Sequence, residues 1–201
     1  QFYRMLNVSL EQFGEMIDSC IWDFKVGDNL RYNFASLQFL YDLRSTNSSS
    51  AIYLNKFIIV QISSILECLF FDLLHRLDYS PSHFPSIHQD LRESIKVDLA
   101  ANFSKYFDSK DTPIRQLENI SFSKIIVFLR RYNLLGSEDG IYLNLEFMSK
   151  IRNRIHIFNY FHNLEKDEIG VYTDERITQA ERTLKSVINH FLIYYLRPRH
   201  T

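Results

Sequence analysis

Apolar positions recur at helical spacing along most of the chain. Ser9-Leu10-Glu11-Gln12 has the pattern of a capping box, and Phe13, Met16, Ile17 and Cys20 follow three and four residues apart. This predicts a first helix, broken at Gly27-Asp28. A second is predicted from about Asp28 to Arg44, with Phe34, Leu37, Leu40 and Tyr41 on one side. The run Ser45-Thr46-Asn47-Ser48-Ser49-Ser50 reads as a polar loop. The third predicted helix, about Ala51 to Leu77, is the longest and most apolar, which marks it as the central one.

Pro81 and Pro85 punctuate the segment after it. Ser86-Ile87-His88-Gln89 offers a second capping box, opening a more charged helix to about Phe107. Thr112-Pro113 places proline at a first helical position and starts a short turn to about Glu118. Ser123 is expected to cap a helix ending near Leu135, with Gly136 closing it. A helix follows from about Ile141 to Tyr160, its buried stripe expected at Leu143, Phe147, Ile151 and Ile155. The last begins near Thr173 and runs to about Leu196, where Pro198 stops it. The expectation is an all-α helical bundle forming one domain over 1–201, with an N-terminal helical pair at 1–44 and the main bundle at 51–197.

Composition supports this reading. Only 5 Gly and 4 Pro are present, too few for the turns of a many-stranded β protein. The 17 Phe and 12 Tyr require large rings in a core or an interface. With 23 basic and 24 acidic residues, the chain lacks the basic excess of a non-specific nucleic-acid coat, though a local basic site stays open. Cys20 and Cys68 lie in apolar stretches without ligand spacing, and are expected to be buried thiols. Asn-x-Ser triplets begin at Asn7, Asn47, Asn102 and Asn119, but no signal-peptide pattern is visible, so a cytoplasmic protein is expected. The stretch from Phe57 to Leu74 is apolar, yet Gln61, Ser63, Ser64, Glu67 and Asp72 interrupt it, and a core helix is expected rather than a membrane span.

One constellation carries chemistry. In the predicted helix of 141–160, Arg152 and His156 are four residues apart, hence roughly 40° apart around the axis. Each follows a stripe position, which predicts both on its shoulder. The segment Lys150-Ile151-Arg152-Asn153-Arg154-Ile155-His156-Ile157 resembles the late helix of the HEPN superfamily, small helical bundles that include RNases of toxin–antitoxin, phage-defence and CRISPR systems. The family pattern is an Arg, often followed by Asn, then a His after four to six intervening residues; here only three intervene. A long central helix holding an acidic residue, Glu67, fits the same architecture.

The resemblance implies a metal-independent endoribonuclease. His156 would be acid/base, Arg152 the phosphate clamp and Asn153 an orienting group, with Arg154, Lys150 and Arg131 as candidate RNA contacts. A forked, permanent cation suits phosphate oxygens, and histidine can exchange a proton near neutral pH. It also implies a homodimer, which we expect to bury the late helix, and an antitoxin or nucleotidyltransferase-like partner. No metal, cofactor or membrane is expected. His75, His83 and His88 show no metal-ligand spacing. Two alternatives remain open: a non-catalytic dimerisation or partner-binding module, and a regulatory domain binding a small nucleotide. Arg130-Arg131 also suits a helix C-terminus by complementing its dipole, and Phe191, Tyr194 and Tyr195 suit a core or a dimer interface better than base stacking.

Overall fold

The computed structural model describes residues 10–21, 24–47, 51–79, 84–107, 121–153 and 168–197. These form α1 (Leu10–Cys20), α2 (Phe24–Thr46), α3 (Ala51–Tyr79), a 3-10 turn (Ser86–Leu91), α4 (Arg92–Phe107), α5 (Phe122–Arg131), α6 (Asp139–Asn153), α7 (Glu168–Val171) and α8 (Asp174–Tyr194). No β-strand occurs among the described residues, and the architecture is an all-α helical bundle. The cap at Ser9, the short turn at 112–118 and the C-terminal part of the predicted 141–160 helix lie outside the described residues.

α3 is the axis of the bundle, with α2, α4, α5, α6 and α8 packed around it. It contains neither Gly nor Pro, and Ile58, Ile59, Ile62, Ile65, Leu66, Leu69, Phe70, Leu73, Leu74 and Leu77 are all buried. Its length and hydropathy would suffice to cross a membrane, but most of its apolar surface packs against neighbouring helices, with Ile52, Tyr53 and Phe57 left exposed. The polar interruptions are satisfied within the bundle. Ser63 and Ser64 donate to the carbonyls of Ile59 and Val60. Buried Asn55 donates to the Tyr172 carbonyl and to Asp174, and accepts from Arg44. One hydrophobic core runs from Ile17 in α1 to Tyr195 beyond α8. Tyr195 and Phe191 belong to it, whereas Tyr194 is half exposed.

Four local expectations are corrected. Gly27 does not break a helix: it lies in the first turn of α2, where no complete hydrogen-bond ladder exists to interrupt. It is buried beside Ile21. Ser86 and Gln89 form no capping box, because the Gln89 amide donates to the Phe84 carbonyl at 3.0 Å and the backbone after Pro85 winds as a 3-10 turn. Ser121, not Ser123, caps α5, accepting from the Lys124 amide; starting there lets the helix bury Phe122.

Gly136 does not close α5. The helix ends at Arg131, and Asn133 takes the left-handed conformation at φ 51°. Its amide bonds to the Arg130 carbonyl at 3.1 Å, and the Leu134 amide bonds to that of Leu129 at 2.9 Å. That pair of bonds is the Schellman closure, sealed by buried Leu129 and Leu134. Gly136, at φ 90°, serves the turn that follows.

Candidate functional site

The site begins with the register of α6. The side chains it buries are Tyr142, Leu145, Met148, Ser149 and Ile151, while Leu143 is 54% exposed. Phe147 is only half-buried, its ring covered by the Arg176 guanidinium 4.8 Å from the centroid. The predicted stripe through Leu143 and Phe147 is therefore rotated from the true one. α6 touches α3, α5 and α8, so three neighbours bury an arc of roughly half the helix. By helical arithmetic, Arg152 falls between Leu145 and Met148 in angle, at the centre of this arc and not on its shoulder.

Arg152 consequently turns onto α3. Its Nη2 lies 2.7 Å from Glu67 Oε2, and its Nη1 donates to Oε1 at 3.2 Å, a two-pronged pair. The two side chains are 30% and 21% exposed, so the pair opens to solvent at one edge. Burial pushes the Glu67 carboxyl above its ordinary range, and the Arg152 charge pulls it part of the way back. The guanidinium is thus held in one orientation at the last turn of α6. Asn153 is the final residue of that helix. Its side chain, Arg154 and His156 lie outside the described residues.

The other candidate contacts are dispersed. Lys150 is exposed on α6. Arg131 ends α5 and pairs with Asp98 of α4, whose carboxylate also accepts from the Tyr132 hydroxyl. Neighbouring Arg130 bridges Asp139 and Glu146. The paired basic residues at the end of α5 therefore hold α4, α5 and α6 together.

Two polar groups in the core were not singled out from the sequence. Asp72 and Arg76, one turn apart on α3, form a buried ion pair at 3.0 Å. Arg76 also donates to the Tyr195 carbonyl. Its guanidinium lies over the Phe191 ring, and burial lowers its pKa. Close by, burial pushes the Cys20 thiol up to about 12, leaving it un-ionised at neutral pH. An acid and an arginine four apart in so apolar a run were the available signal.

The second group is His88, buried after the prolines. Its Nε2 lies 3.0 Å from the Tyr195 hydroxyl, whose own proton goes to the Leu134 carbonyl. Nε2 must therefore donate, which selects the Nε2–H tautomer of the neutral ring. Among the described residues, no group of His, Cys, Asp and Glu is arranged to hold a metal ion.

No protein-family model matches the chain, and searches of curated proteins and of solved structures return no match.

Proposed function

We propose that this chain is a HEPN-like helical domain that cleaves RNA without a metal ion, as a cytoplasmic toxin or defence RNase. The observation that supports this reading is the Arg152–Glu67 pair. It fixes a guanidinium at the start of the Arg152-Asn153-Arg154-Ile155-His156 segment. Glu67 takes two of the five N–H donors of Arg152, and the other three suit the oxygens of a scissile phosphate. In this reading His156 exchanges the proton of the attacking 2′-hydroxyl or of the leaving oxygen, and Asn153 orients the phosphate. A second reading, a non-catalytic partner-binding module, is favoured by charge compensation. Glu67 neutralises Arg152 and Asp98 neutralises Arg131, which weakens any long-range pull on RNA.

Incubation of the purified protein with single-stranded RNA in EDTA separates the two. The nuclease reading expects cleavage, with products ending in 2′,3′-cyclic phosphate. His156→Ala should then slow the reaction by about 10²–10⁴. Arg152→Lys should also lose much of the rate, because a point charge cannot reproduce the fork while still pairing with Glu67. If wild type and His156→Ala leave the same RNA panel equally intact, the nuclease reading falls and the binding module stands.

A further inference from the structure

The end of α8 is held by a knot of bonds at Tyr195. The Tyr195 carbonyl accepts from Arg76 of α3, and its hydroxyl donates at 2.6 Å to the Leu134 carbonyl, in the turn between α5 and α6. Just beyond, the Arg197 amide donates to the Ser19 carbonyl at 2.6 Å, which ties α1 to the same place.

Two imidazoles close this knot. His88 Nε2 donates to the Tyr195 hydroxyl at 3.0 Å, with the two rings stacked 6.3 Å apart. His190, in the last turns of α8, packs against Tyr194 and Tyr195 with ring centres 4.6 and 5.6 Å away. Its Nε2 is buried and has no hydrogen-bond partner among the described residues. An imidazolium carries N–H on both nitrogens, so a charged His190 would bury a donor that nothing accepts.

The other groups facing the rings give no help to a positive charge. They are Tyr194, Tyr195, Arg76 behind Tyr195, and Tyr142 of α6, whose hydroxyl bonds the Leu135 amide and the Gly136 carbonyl. Asp72 is engaged by Arg76, and among the described residues no carboxylate pairs with either imidazole. Burial holds the His88 ring down to about 4, and the neighbouring His190 adds to this. Burial lowers the His190 pKa too, with the Leu134 carbonyl pulling the other way.

We propose that the end of α8 is an acid-operated latch: when His88 and His190 take up protons, the last turn of α8 and the residues after it lift away while the other helices stay packed. Segments at and beyond a helix end open at lower free energy than the core they cover. Phe191 leaves with that turn. It lines a small apolar cavity together with Ile17, Cys20 and Ile188, so opening uncovers the Cys20 thiol. This inference is independent of the RNA-cleaving reading.

Native-state hydrogen exchange at pH 8 and pH 5, each rate divided by the intrinsic rate at that pH, tests the latch. The Tyr195 and Arg197 amides should exchange faster than those of Ile62 and Ile65 in α3, with little dependence on sub-denaturing urea. Both rings bind protons readily only when the latch is open, so opening is suppressed above pH 6.5 and grows as pH falls. Through His88 alone the open fraction should rise by about 30-fold from pH 8 to pH 5. In a Cys68→Ala background, reaction of Cys20 with a disulfide reagent, referenced to the unfolded chain at each pH, should accelerate by at least that factor. The double variant His88→Gln, His190→Gln should lose most of the rise. Tyr195 and Arg197 amides that exchange no faster than Ile62, with the same urea slope, overturn the proposal. So does a pH response that the double variant keeps. Should the double variant melt early, the urea and pH dependence of the wild type decides alone.

Discussion

The His88 ring is buried against the Tyr195 hydroxyl, and burial, helped by the nearby His190, lowers its pKa from 6.5 to about 4. Between these values the unfolded chain binds a proton that the folded chain refuses, so the stabilisation is complete above pH 6.5 and drains away as pH falls. His88 alone should take about 2 kcal/mol from the unfolding free energy between pH 7 and pH 5. His88→Gln keeps a donor for Tyr195 but cannot titrate, so urea midpoints of the variant should fall less steeply over that interval. Parallel pH profiles for the two proteins would show that His88 is not the titrating group. The Glu67 carboxyl is shifted the other way, upward through burial, and the Arg152 charge opposes that shift.

Among the elements, α6 shows most clearly where pattern and packing part. Leu145→Ala should cost about 2–5 kcal/mol by leaving a cavity, and Leu143→Ala, on the exposed side, should stay within about 0.5 kcal/mol. Phe147→Ala should fall between them, losing the Arg176 contact and half a buried ring. Equal losses at 143 and 145 by chemical denaturation would refute this register. Leu143, Phe147 and Ile151 are a legitimate fourfold ladder, but spacing alone cannot say that three neighbours would bury the arc beginning at Tyr142. The same error hid the inward turn of Arg152. By contrast, α3 was legible because it is apolar nearly all round, so no register had to be chosen. The Thr173 cap of α8 was legible because capping is local: its hydroxyl accepts from the Arg176 amide. Asn133 and Gly136 compete for one role, and the contact of Leu134 with the core, unseen in sequence, decides for Asn133. The Arg152-Asn153 start of the candidate site was readable as a motif, but its link to Glu67 required two helices to be placed side by side.

At the scale of the whole molecule, α3 is joined to α8 and to the residues just beyond it by bonds spanning great lengths of chain. Arg76 reaches the Tyr195 carbonyl across 119 positions, and Asn55 reaches Asp174 likewise across 119. Tyr41 of α2 donates to Glu181 across 140. The central helix is thus synthesised long before the helix that closes over it. At ordinary translation rates, roughly a hundred residues of delay leaves α3 without its last cover for about 5–20 s. During that interval its row of isoleucines and leucines is a target for holdase chaperones and for other nascent chains. A chain ending before Glu168 should therefore bind a hydrophobic dye strongly where the full chain does not. Equal binding would mean that α2, α4, α5 and α6 suffice to cover it. Closing this bundle is then a race between the ribosome and self-association, set by how far along the message α8 is encoded.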